Sequence, residues 1–549
     1  MSTGTVAELV GRTLTGLGVR QVFGVVGSGN FHFTNALVAG GARFVAARHE
    51  CGAATMADAF ARTSDQVGVL SVHQGPGLTN AMTGIAEAAK SRTPLLVLSA
   101  EVTSPLSNFA VDQEALATAV GAVAERVHSA ATAERDLRQA FRRAGRERRT
   151  VLLNLPLDVL AAPAEPAGTP VRAEPPRQPL APESRTELAE LIASAERPVF
   201  IAGRGARGAR SELERLADDC GALLATSAVA NGLFRGNPWA LGISGGFATP
   251  LAVQLIAGAD LVIGWGCALN NWTTRHGALI GESAALVQVD LEPDAIGAHR
   301  PVTLGVVGDV AETASAMSTA VSTALDGRTL TGYRDEKLAA RIAGEGRWPL
   351  LPFTEESGPG TIDPRTLSAA LDELLPAERV LAVDSGNFMG YPSGYLAVPD
   401  ERGFCFTQAF QSIGLGLATA VGAALAQPDR LPVAALGDGG ALMSVAELET
   451  VARLGLPMVI VVYNDAGYGA EVHHFGPAGH ALDTVRFPDT DFAAIAKGFG
   501  CAGLTVRTRA DLAGLTEWLA GPRDRPLLID AKVDGRRPSW WLEDAFRGH

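Results

Sequence analysis

The chain has 549 residues, with 46 basic against 59 acidic, a formal net charge of -13 and five cysteines. That length can bury several cores, and acidity without a basic block excludes nucleic acid and anionic membrane as expected partners. Cys51, Cys220, Cys267, Cys405 and Cys501 lack C-x-x-C spacing, so neither a zinc site nor a disulfide framework is expected. With no leader pattern in Met1 to Val10 and no apolar run long enough to span a bilayer, the expected setting is cytoplasmic.

Arg20 to Asn30 reads as a strand running into a glycine turn, and Val67 to Asn80 repeats that design. Between them, Arg43 to Arg48 is strand-like and Cys51 to Ala61 is a helix of small residues. Glu50 therefore stands at a strand-to-helix junction, where a first-turn acid also suits the helix dipole. His73 closes the second strand, open to a reaction chamber or to the core, and Gly75, Pro76 and Gly77 read as a structural turn. Val151 to Val159 reads as the last strand of a first domain, residues 1–160, and a Pro/Ala/Glu-rich connection, Ala161 to Arg185, follows. Residues 186–324 again alternate strands with helices such as Ser211 to Cys220. Their Gly203 to Gly208 turn has G-x-G-x-x-G spacing, but a lone glycine turn is a weak signal and it reads as structural. A polar connection, Leu325 to Pro364, leads to a third domain, residues 363–549, so the expected class is α/β with three doubly wound parallel-sheet domains.

In the third domain, Val380 to Phe388 is a strand meeting a glycine turn of the kind that receives phosphates. Gly437 to Gly469 reads as one βαβ unit. Ser444 and Glu447 fit a capping box, Val445, Leu448, Val451 and Leu454 keep helical spacing, and Gly455 and Pro457 end the helix. A right-handed crossover brings Asp438 and the Asn464/Asp465 pair to one carboxyl edge, where oxygen ligands suit a hard divalent cation.

This unit resembles the cofactor signature of the thiamine-diphosphate-dependent decarboxylase and carboligase family, and the resemblance runs along nearly the whole chain. It implies thiamine diphosphate and Mg2+, with the metal held by Asp438, Asp465 and the carbonyl of Gly467. Asp465 stands where the family usually has a second Asn, a tolerated variant expected to bind metal more tightly. The resemblance also implies cofactor contacts from Asp384, Ser385, Gly386, Asn387, Ser412, Gly437, Gly439, Gly440 and Tyr468, with Ile413 propping the bent cofactor. Glu50 corresponds to the glutamate that bonds the aminopyrimidine N1', and the first, central and third domains to the pyrimidine-binding, central and diphosphate-binding domains. Some relatives carry FAD or ADP on the central domain; FAD is not expected here, though the question stays open.

His73 resembles a residue of benzoylformate-decarboxylase-like sequences, Gln113 an active-site glutamine of carboligases and lyases, and Glu471 a glutamate of pyruvate-decarboxylase-like enzymes. These three are the candidates beside Glu50 for proton transfer and carbonyl orientation. Adjacent His473 and His474 cannot share one helix face, so at most one is expected to be catalytic. Asp112 and Gln411-Ser412-Ile413 depart from the acetolactate-synthase pattern. The expected activity is decarboxylation of a small 2-oxo acid, with protonation of the resulting enamine or its carboligation to an acceptor aldehyde or ketone. The alternatives are a benzaldehyde-lyase-like C–C lyase, an acetolactate-synthase-like enzyme and, in another class, a non-catalytic subunit. The family further implies a homodimer or homotetramer, with Glu50 and the metal site contributed by different chains. The Ala/Gly-rich helices bearing Glu50 and Ile413 are expected to permit close approach across that interface.

Overall fold

The computed structural model describes residues 4–164, 181–325 and 330–542. It contains three six-stranded sheets, and every strand pair is parallel. The first comprises β1 (Gln21–Gly24), β2 (Arg43–Ala46), β3 (Gly68–Val72), β4 (Leu95–Glu101), β5 (Val123–Arg126) and β6 (Thr150–Pro156), in the order 2-1-3-4-6-5. The second comprises β7 (Pro198–Ala202), β8 (Leu223–Thr226), β9 (Ala240–Ile243), β10 (Leu261–Trp265), β11 (Ala285–Asp290) and β12 (Leu304–Val307), ordered 12-11-10-7-8-9. The third repeats the first with β13 (Arg379–Val383), β14 (Phe404–Phe406), β15 (Leu431–Gly437), β16 (Val459–Asn464), β17 (Ala502–Val506) and β18 (Leu527–Lys532), ordered 14-13-15-16-18-17. Helices cover both faces, which is why the central strands read as continuous apolar runs.

Several local expectations change. The sequence Leu157 to Val159 is not strand but opens a short helix, Leu157–Ala161. Most of the connection Ala161 to Arg185 lies outside the described residues, and its end belongs to the helix Pro182–Ser194. The second connection holds a further helix, Glu336–Glu345, N-capped by Asp335 and anchored by Leu338 and Ile342. Its charged surface hides this narrow apolar stripe from a composition-based reading.

The first and third units are joined by the helix Glu50–Ser64 packing along Gly416–Ala426. A Cβ at Gly422 would come within 2.2 Å of the Met56 carbonyl oxygen, so only glycine permits this approach. The two small-residue helices thus pack on each other within one chain, instead of being held for a second chain as expected.

All three units converge on Arg62, which is buried with Asp58 and Glu87. Its guanidinium bonds Asp58 Oδ1 at 2.9 Å, Glu87 Oε1 at 2.8 Å and the carbonyl of Phe406 at 3.0 Å. From the central unit, Arg204 donates to the carbonyl of Ser91 and Arg207 to that of Arg62. Among the described residues, no helix is long and apolar enough to cross a membrane. Replacing Arg62 with Ala leaves two buried carboxylates without their cation, and is expected to cost about 3–5 kcal/mol in urea unfolding. An unchanged unfolding midpoint would contradict the pairing.

Candidate active site

In a 2-1-3-4-6-5 sheet the chain turns opposite ways from β1 and β3, which opens a crevice at their carboxyl ends. In the third sheet that crevice lies between β13 and β15. It receives Ser385, Gly386 and Asn387 after one strand and Gly437, Asp438, Gly439 and Gly440 after the other, all lining a cavity of about 1290 Å³. Asp465, Gly467, Tyr468, Glu471 and Ile413 line the same cavity. The Gly437↔Tyr463 register places Asp438 and Asp465 just past paired strand ends, as the βαβ reading implies. Gly439 must be glycine, because a Cβ there would meet the Tyr468 ring at 2.4 Å.

Asp438 and Asp465 both lie beside the backbone N–H of Gly467. Burial pushes Asp438 up to about 6, and burial with the facing Asp438 charge pushes Asp465 up to about 8. Two neighbouring buried carboxylates at a glycine-rich crevice, one opposing the other's ionisation, fit a bound divalent cation, which would offset both charges.

Asp384 and Ser412 are absent from the cavity lining. The Asp384 carboxylate is fully buried and accepts the N–H groups of Gly414 at 3.0 Å and Leu415 at 3.2 Å, so it shapes the loop bearing Ile413. Ser412 bonds the carbonyl of Ile413. The helix after β15 starts at Asp438 and stops at Met443, and a second begins at Glu447. Glu447 is not half of a capping box. Its Oε1 accepts the N–H groups of Arg48 at 3.0 Å and His49 at 3.1 Å, immediately before Glu50.

The equivalent crevice of the first sheet, between β1 and β3, gathers a second cluster. Glu50 Oε2 accepts from Asn80 Nδ2 at 3.1 Å. His73 Nδ1 lies 2.7 Å from the carbonyl of Gln74, which can only accept, so the other nitrogen, Nε2, faces the Ser28 hydroxyl at 3.3 Å as an acceptor. Its ring packs edge-on to Phe109. Gly77 is more than a structural turn: a Cβ there would lie 3.0 Å from His73 Cβ and 3.6 Å from Glu50 Oε1. Gln113 leaves the catalytic set. It is buried, accepts from Ser99 at 2.9 Å, and donates both amide hydrogens, to Ala100 O at 3.1 Å and Asn154 Oδ1 at 3.0 Å. Neither His473 nor His474 lines the cavity; His473 turns to the backbone of Gly535, where burial lowers its pKa.

The cavity extends to the central sheet's own crevice, between β7 and β10, with Gly203, Arg204, Gly205, Gly266 and Cys267. The first half of the Gly203 to Gly208 turn, read as structural, thus borders the cavity. Lys90, Arg92, Arg146 and Arg148 face the same lobe, and burial with Arg62 and Arg207 nearby disfavours the charge of Arg204. This wall suits an anionic group. Sequence reasoning missed it because its cations come from separate segments, and missed Ser28 and Asn80 although both stand beside the glycine turns that it singled out.

Residues 4–122 match the family model described as thiamine pyrophosphate enzyme, N-terminal TPP binding domain. Residues 185–317 match its central domain and 384–531 its C-terminal TPP binding domain. A sulfoacetaldehyde acetyltransferase of Castellaniella defragrans is 29% identical over 97% of this chain and 92% of its own. A probable 2-ketoarginine decarboxylase of Pseudomonas aeruginosa is 30% identical over 92% and 90%. The acetolactate synthase isozyme 3 large subunit of Escherichia coli is 27% identical over 96% and 95%. Sulfoacetaldehyde acetyltransferases recur among the relatives, which fits the C–C lyase alternative better than simple 2-oxo-acid decarboxylation.

Titration calorimetry is expected to find one thiamine diphosphate per chain with Mg2+ present and binding lost when the metal is chelated. Asp438→Ala is expected to weaken Mg2+-dependent binding by about 100-fold. Equal affinity in parent and variant would remove Asp438 from the metal site.

Proposed function

Because the chain belongs to the thiamine pyrophosphate enzyme family, whose chemistry makes and breaks carbon–carbon bonds, we propose that it is a magnesium-dependent C–C lyase with acyl-transfer activity, not a simple 2-oxo-acid decarboxylase. The observation that carries this reading is the near full-length likeness to sulfoacetaldehyde acetyltransferases. The intact two-carboxylate crevice supports it. The donor is then a small aldehyde of the sulfoacetaldehyde kind, from which sulfite leaves so that the two-carbon unit reaches the acyl level without an oxidant, and the acceptor is a nucleophile that takes the acetyl group and gives up a proton.

Bound thiamine diphosphate supplies the carbanion-stabilising centre. Asp438, Asp465 and Gly467 would hold Mg2+ against the diphosphate, and the turns Ser385 to Asn387 and Gly437 to Gly440 would receive its oxygens. Ile413 presents an apolar wedge to the same cavity. Glu50, oriented by Asn80, would hold a proton at the pyrimidine nitrogen. His73, with Nε2 open to accept, would move a proton with Ser28. Glu471 lines the cavity and is the further candidate there.

The two clusters do not share one cavity within the chain, since Glu50 and His73 are outside the lining that holds Asp438. Large apolar side chains stand exposed beside both. Val26, Phe31, Leu106 (92% exposed), Phe109 and Val111 lie at the first sheet's carboxyl edge, and Phe410, Leu442 and Met443 flank the Ile413 and Asp438 segments. Such patches favour burial against another copy, which supports a working homodimer or homotetramer with each site shared. Five free cysteines support a cytoplasmic setting.

With thiamine diphosphate and Mg2+, sulfoacetaldehyde is expected to be consumed without carbon dioxide release. Carbon dioxide from a 2-oxo acid, with the aldehyde untouched, would restore the decarboxylase reading. Glu50→Gln is expected to keep fold and cofactor affinity while lowering turnover by about 100-fold or more. Mixed dimers of Glu50→Gln and Asp438→Ala chains should regain activity absent from either parent. Confirmed heterodimers without recovery would place both halves in one chain.

A further inference from the structure

Glu87 is fully buried, lies outside both clusters, and takes no part in the chemistry above. Its Oε1 accepts from Arg62 at 2.8 Å and from the N–H of Ala409 at 3.0 Å, and its Oε2 from the N–H of Phe410 at 2.6 Å. Those two amides belong to the third unit and immediately precede Gln411, Ser412 and Ile413. On the far side of Ile413, buried Asp384 takes the N–H groups of Gly414 and Leu415. The loop must turn sharply between these supports: Gln411 has φ 61° and Gly414 has φ 87°. Left-handed backbone at a non-glycine residue persists only where its surroundings hold it. Four consecutive-pair amides, two at each end, are thus fastened by two buried carboxylates, one of them from another unit of the fold.

We infer that Glu87 is a positioning residue: through the amides of Ala409 and Phe410 it fixes the loop that presents Ile413 to the cofactor. This rests on the reading of the cavity as a thiamine-diphosphate site. The Ala409 and Phe410 amides demand two acceptor oxygens. A glutamine of the same shape offers one, and its NH2 would oppose the other N–H. In the cofactor-free protein, Glu87→Gln should therefore lower hydrogen-exchange protection at Ala409 and Phe410 by about tenfold or more. In the holoenzyme it should leave cofactor affinity within about threefold while slowing exchange of the C2 proton by about tenfold.

The deciding measurement is a double-mutant cycle on C2 proton exchange. In an Ile413→Ala background, Glu87→Gln should add less than about twofold, because the side chain that it positions is gone. Effects that multiply independently, or exchange at the parent rate in Glu87→Gln, would overturn the inference. If Glu87→Gln does not fold, Glu87→Asp keeps the charge beside Arg62 but withdraws the carboxylate by one methylene, and carries the same cycle. The parent protein separates the two ideas. No cofactor-dependent exchange in the parent defeats the cofactor reading itself, whereas parent exchange that Glu87→Gln matches defeats only the role of Glu87.

Discussion

The close packing of Glu50–Ser64 on Gly416–Ala426 is the constraint from which the rest of the arrangement follows. One helix begins at Glu50, and the other begins three residues after Ile413. Because glycine and alanine bring the helix backbones together, the two catalytic edges are fixed by rigid elements instead of by loops. Apolar side chains remain exposed beside both crevices.

Buried charges reinforce that contact in both directions. Glu87 reaches from the first unit into the loop before Ile413, and Glu447 reaches from the third unit into the turn before Glu50. A carboxylate removed from water is costly unless its oxygens are fully used. Glu87 meets that condition with Arg62 and two amides, and Glu447 with two amides and the Thr450 hydroxyl at 2.6 Å. Each such group specifies one relative placement of the units, because a small slip strands a buried charge.

Much of what depends on neighbouring residues was legible in the sequence. The βαβ unit, the shared edge of Asp438 and Asp465, the Glu50 junction and the alternating strands all follow from spacing, apolar runs and turn chemistry. Partnerships across hundreds of residues were not. Ser444 and Glu447 match a capping box locally, yet Glu447 is claimed by amides 398 and 399 positions away. Gln113 has the polarity of a catalytic residue, but its partners on β4 and β6 spend it in the core. The arginine-lined lobe assembles from four separate stretches of chain, and no linear pattern marks it.

The first and third sheets share one strand order, so their crevices are the same device furnished with different loops. The residues proposed to hold diphosphate and metal sit after β13, β15 and β16, while Ser28, His73 and Phe109 sit after β1, β3 and β4. Mutations in the latter loops would therefore leave Asp438 and Asp465, which follow β15 and β16, in place. For evolution or engineering, Val26 to Phe31 and Leu106 to Val111 are then the stretches to vary first when the proposed metal ligands are to be kept.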